Sequence, residues 1–143
     1  MACPYFYPLA RFENSTWAVP PRLPLGDPFS GECRVSGSSF QPEETQVRKV
    51  CNVGYGRGCC DRFPPASPTD AVRFHVSKDS GKLIRIQYIF EKDCWPKEHG
   101  VLEYANATVH SGPADEILRK QASAFLESYL RRRSSYRAAT LGK

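Results

Sequence analysis

Between Val50 and Pro65 the chain reads VCNVGYGRGCCDRFPP, which puts Cys51, Cys59 and Cys60 within ten residues of one another. Gly54, Gly56 and Gly58 interleave with them. Glycine at alternate positions lets a backbone turn tightly and approach a bulky group. Thiols beside such a backbone point to a metal centre, with sulfur ligands and amide N–H groups converging on it.

The other cysteines are Cys3, Cys33 and Cys94. Cys3, Cys33, Cys51 and Cys60 are separated by 30, 18 and 9 positions. Structural zinc sites usually carry close C-x₂₋₄-C pairs, and this chain has none. Iron–sulfur clusters also take four thiolates, and a cluster several ångströms across can collect them from scattered loops. Aromatic residues such as Tyr5, Phe6, Trp17, Tyr55 and Phe63 would keep water away, while glycine N–H groups would bond to cluster sulfides. The competing explanation is that these are reduced cysteines packed as small hydrophobes. That holds well for any one of them, and less well for four that bracket an irregular half of the chain. The expected centre is therefore a [4Fe–4S] cluster on Cys3, Cys33, Cys51 and one of the neighbours Cys59 and Cys60, with Zn²⁺ as the alternative metal. Cys94 is expected in the core at a strand end.

The pattern resembles a cysteine-rich bacterial family of no assigned activity. The residues that carry the resemblance are CPYF at Cys3–Phe6, GEC at Gly31–Cys33, CNVGYGRGCCDRFP at Cys51–Pro64 and DAVRF at Asp70–Phe74. It covers residues 3 to about 105 and implies no mechanism. It does imply Cys60, rather than its neighbour Cys59, as the fourth ligand. Adjacent side chains generally diverge, which leaves Cys59 as a substitute.

With 143 residues, 41% hydrophobic and 24% charged, the composition is that of an ordinary globular chain with one core. No apolar run is long enough to span a bilayer, and the N-terminus has no basic n-region followed by an apolar h-region. A reducing, cytoplasmic setting is therefore expected, where cysteines serve as thiols or metal ligands rather than in disulfides. The glycosylation sequons at Asn14–Thr16 and Asn106–Thr108 are then chance matches. The net charge is +5, but residues 115–143 hold seven Lys/Arg against three Asp/Glu, and the preceding 114 hold thirteen against twelve. A basic C-terminus on a nearly neutral body gives little support to nucleic-acid binding by the whole chain.

Residues 1–41 contain six prolines and no lasting period. Such an aromatic-rich segment needs a staple, and Cys3 and Cys33 lie near its ends. Pro42–Cys51 reads as a short helix with acids first, Arg48 and Lys49 last, and Cys51 on the apolar face of Val47 and Val50. Val72, Phe74 and Val76 then alternate with polar residues, a turn follows at Lys78–Lys82, and Leu83–Glu91 alternates again. Cys94-Trp95-Pro96 is expected to break the strand, with a third one over Gly100–Ala105. Ser111–Glu116 offers a cap, a proline and acids ahead of an amphipathic helix to about Arg133.

The expected class is α+β: an antiparallel β-meander with a C-terminal amphipathic helix and an irregular, Pro-rich, cysteine-stapled N-terminal half. Residues 1–133 form one domain, with a metal-binding half at 1–65, the meander and helix at 70–133, and a basic tail at 134–143. His75 and His99 read as surface residues, and Glu91, Asp93, Glu98 and Glu103 as solvated loop charges. Arg131, Arg132, Arg133 and Arg137 would either touch phosphates or complement a helix dipole. No P-loop, dinucleotide fingerprint, zinc-protease motif or nucleophile elbow is present. The leading expectation is a small iron–sulfur protein, its cluster structural or passing one electron to a redox partner. A zinc-stapled interaction module, with the C-terminal arginines as its contact to nucleic acid, is the first alternative. The second is a thiol- or cluster-dependent enzyme, against which four protein thiolates argue because they leave no open ligand position.

Overall fold

Alternation over residues 71–92 folds as its period requires. A computed structural model of the chain describes residues 2–12, 25, 27–106 and 108–141, with the backbone alone at residue 110 and residues 134–141. Strands β3 (Ala71–Asp79) and β4 (Leu83–Lys92) pair antiparallel with Phe74 opposite Tyr88 and Val76 opposite Ile86. Their inward row, Val72, Phe74, Ile84, Ile86 and Tyr88, is buried. β5 (Trp95–Ala105) and β6 (Thr108–Ser111) complete a four-stranded sheet in the order β3-β4-β5-β6.

The third strand starts earlier than expected because the chain reverses in two residues. Asp93 and Cys94 take left-handed φ values of 52° and 67°, as a two-residue hairpin turn demands. Pairing resumes at once, with Lys92 opposite Trp95 and Glu91 opposite Pro96. Pro96 is tolerated because it sits beside the bulge at Phe90/Glu91. Cys94 is therefore exposed on a turn. The expectation that it packs in the core is wrong, since a turn tip has no inward face.

The proline-rich segment contains a two-stranded ribbon that its periodicity hides. β1 (Phe6–Arg11) and β2 (Phe29–Cys33) pair antiparallel from Phe6 opposite Cys33 to Arg11 opposite Phe29, with a bulge between Pro8 and Ala10. Pro8 has no N–H to give a ladder and sits where the ladder is already broken. Gly31 lies opposite it, where an added Cβ would stand 2.2 Å from the Tyr7 carbonyl oxygen. Trp17 and the Asn14–Thr16 sequon lie outside the described residues, as does Ala107 of the second sequon.

Helix α1 (Glu44–Gln46) passes directly into a π-helical turn at Val47–Cys51, closed by the Asn52 N–H on the Val47 carbonyl at 3.0 Å. Helix α2 (Glu116–Leu141) is capped by Asp115, whose Oδ1 accepts from the Leu118 N–H at 2.9 Å. Its backbone runs past Arg133. The side chains of the expected tail, Arg137 included, lie outside the described residues. Leu118, Ala122 and Leu126 are buried in one cluster with Phe6 of the ribbon and Ile86, Leu102 and Tyr104 of the sheet. Phe125 packs on Phe74 with ring centroids 5.8 Å apart. One apolar core thus joins both sheets and the helix.

Candidate metal centre

Four segments bring cysteines to one place, each held by its own backbone bonds. Ala2 bridges Val72, N–H to carbonyl in both directions at 2.8 and 2.9 Å. This lays the N-terminus along β3 and leaves the Cys3 N–H to donate to the Cys51 carbonyl at 3.0 Å. Cys33 ends β2, and a turn brings Phe40 back to exchange two bonds with it, at 2.7 and 2.9 Å. The π-turn presents Cys51. Cys60 and Cys59 both donate their N–H groups to the Gly56 carbonyl, at 2.7 and 2.9 Å, so one turn carries the neighbouring thiols.

These side chains open onto a cavity of about 300 Å³. Its lining includes Cys3, Cys33, Cys51, Cys59 and Cys60, five of the six cysteines, together with Phe6, Phe40, Phe63 and Val50. Cys3, Cys33 and Cys51 are buried, Cys60 is half-buried and Cys59 is exposed. Among the described residues no three His, Cys, Asp or Glu side chains meet closely enough to share a single ion. The five thiols share the wall of one cavity.

The electrostatics have the same origin. Burial pushes the Cys3 thiol up to about 12 against hydrogen bonding from the Tyr5 and Phe6 backbone, and the Cys33 and Cys60 thiols add to the rise. Cys51 is also pushed up to about 12, first by burial and then by Cys3, Cys33 and Cys60. Several thiolates in one cavity repel one another unless a cation joins them, and a bound metal reverses that preference by deprotonating its ligands.

The glycine loop is fixed from outside the cavity. Gly54 and Gly58 adopt φ values of 88° and 83°, and Tyr55 between them 59°. A Cβ on Gly56 would come within 2.9 Å of Val50 Cγ1 and 3.3 Å of Cys60 Cβ, so the close approach there is to the protein itself. The Gly54 N–H already bonds the Val50 carbonyl at 2.7 Å. Arg57 clamps the loop by donating to Asp70 Oδ1 at 2.9 Å and to the Ser67 carbonyl at 2.8 Å. Tyr55 reaches the sheet, its hydroxyl donating to the buried Glu91 at 2.6 Å and accepting from the Cys94 N–H at 3.1 Å. Arg73 holds the other Glu91 oxygen at 2.8 Å, which makes Glu91 a structural anchor rather than a solvated loop charge.

Sequence reasoning missed two supporting residues. Asn52 is buried, and its amide takes the place of a strand partner for Phe29. It accepts the Phe29 N–H at 3.0 Å and donates to the carbonyls of Phe29 and Val47, both at 2.9 Å. Gln121 reaches from α2 to donate to the Cys3 and Phe6 carbonyls at 2.8 and 2.7 Å. Its signal was an amide on the apolar side of a helix, between Leu118 and Ala122.

Of the expected aromatic screen, Phe6 and Phe63 line the cavity. Tyr5 stands behind Phe63 at 5.6 Å, edge to face, and Tyr55 is turned to the sheet. His75 and His99 are exposed on β3 and β5. Arg131 and Arg132 face Asp27, and Arg133 bonds Asp79 at 2.7 Å, so these arginines engage the chain's own carboxylates. Among the described residues, no helix is long and apolar enough to cross a membrane. Comparison of the chain with protein-family models, curated proteins and solved structures finds no match in any of the three.

Proposed function

We propose that this protein binds a [4Fe–4S] cluster through Cys3, Cys33, Cys51 and Cys60. One observation carries the reading: four separately held segments deliver thiols to the wall of one largely apolar cavity. A single zinc ion needs each sulfur about 2.3 Å from one point. A cluster takes each thiolate on a different iron and so suits sulfurs arranged around a space. The bound cluster would supply a positively charged core for the thiolates and a one-electron couple.

Its main role here is to fasten. Cys3 belongs to the segment bridged to β3, Cys33 to the ribbon, Cys51 to the π-turn and Cys60 to the glycine loop. A centre bonded to all four converts metal binding into folding free energy. A redox partner would reach it from the Cys60 side, the only one of the four ligand positions that is not buried.

Serine replacement tests the ligand set. Cys3→Ser, Cys33→Ser, Cys51→Ser and Cys60→Ser should each sharply lower the iron and sulfide retained after anaerobic purification. Cys94→Ser should retain both, because Cys94 is not part of the cavity lining. Iron retained by all four variants would overturn the assignment. One zinc and no sulfide in the parent protein would replace the cluster with a zinc centre.

A further inference from the structure

The cavity has one more thiol than a four-ligand centre uses. Cys59 lines it beside Cys60 yet is exposed, so sulfur is available from solvent to the interior in sequence: Cys59 outside, Cys60 half-buried, then Cys3, Cys33 and Cys51. The two neighbours hang from one carbonyl, that of Gly56. Gly58, just before them, has a left-handed φ of 83° and open space around it, so the tip of this turn is not wedged by packing. Gly56 at its base is tightly packed. The turn is thus anchored at Gly56 and by the Arg57 clamp, with open space only beside Gly58.

We propose that Cys59 is the receiving thiol, which takes an incoming cluster from a thiolate-ligated carrier and passes it to Cys60. This rests on the four-thiolate site proposed above. The exchange balances without electron transfer. The Cys59 sulfur bonds an iron of the cargo while that iron's bond to a carrier thiolate breaks. The Cys59 proton goes to water and the departing thiolate takes one up. Cys60 then replaces Cys59 on the same iron, losing its proton as Cys59 regains one. The buried Cys3, Cys33 and Cys51 cannot begin this sequence because a carrier cannot reach them, and Cys59 is more exposed than the half-buried Cys60. The same route run backwards is the exit, so Cys59 governs rates in both directions and leaves the final affinity unchanged.

The test uses the full chain, freed of metal anaerobically, and a water-soluble [4Fe–4S] cluster carrying four 2-mercaptoethanol thiolates as the probe. Uptake is followed by visible absorbance, and release by transfer to excess chelator. Circular dichroism checks that each variant is folded. Cys59→Ser should load on the order of tenfold more slowly and release more slowly by the same factor, with parent-level final iron and an unchanged spectrum. Equal rates in parent and Cys59→Ser would overturn the proposal. So would loss of final iron in Cys59→Ser with retention in Cys60→Ser, which would make Cys59 the resident ligand. A parent protein that takes up no cluster would overturn the underlying site as well, an outcome distinct from both.

Discussion

Cys3 and Cys51 set a pH dependence that belongs to the metal-free protein. Burial, then the neighbouring thiols, raises both to about 12, above the ~8.5 of a thiol in an unfolded chain. A raised value favours the protonated folded form, so this stability is complete below about pH 8.5 and is lost as pH rises towards 12. The urea midpoint of metal-free protein should fall across that window, and Cys51→Ala should flatten the fall. An identical slope in the variant would show that the cavity thiols are not buried together. Asn52 gives a second test at this scale. Asn52→Ala strips three buried hydrogen bonds, two that join the ribbon to the π-turn and one within the turn, at an expected cost of about 1–3 kcal/mol in denaturant unfolding. The cysteines stood out in the sequence as candidate ligands because thiol chemistry depends on residue type. Asn52 and Gln121 did not, because an amide gains its role from the backbone groups that the fold brings to it.

Elements with a clean period were equally legible. The alternation at Val72–Val76 and Ile84–Phe90 located the hairpin, and the repeat from Leu118 located α2. The ribbon escaped because Pro8 and Gly31, the residues that accommodate its bulge and close approach, are the ones that read as strand breakers. The β4–β5 turn escaped because neither Asp93 nor Cys94 is a glycine, although both are left-handed. Where α2 passes the β3–β4 turn, Asp79 accepts from the Tyr129 hydroxyl at 2.6 Å and from Arg133 at 2.7 and 2.9 Å. These bonds, Tyr129 first, lower its carboxyl to about 2. A depressed carboxylate contributes stability that is present above about pH 4, its unfolded value, and is lost as pH falls towards 2. Asp79→Asn should therefore remove part of the acid dependence between pH ~4 and ~2. The contribution is small because the pair borders solvent. Matching acid unfolding curves for parent and variant would show that the turn does not hold the helix.

At the scale of the molecule, the two halves differ in what orders them. Residues 1–65 carry nine of the twelve prolines and among their described residues only a bulged ribbon, a 3₁₀ turn at Val35–Gly37 and a short helical stretch, while ordering costs about 1–2 kcal/mol per residue. The meander and α2 have continuous ladders and periodic apolar faces. Anaerobic metal removal should therefore speed amide exchange across 1–65 while Val72–Val76 and Ile84–Phe90 stay protected. Uniform protection would mean that the shared core around Phe6 and Leu118 holds the ribbon without help from a metal. The most direct test of the centre is its stoichiometry in protein purified without oxygen. About four iron and about four acid-labile sulfide per chain, with a brown colour from visible absorption, is the result this account predicts. A colourless protein with one zinc, or with no metal and six free thiols, would contradict it.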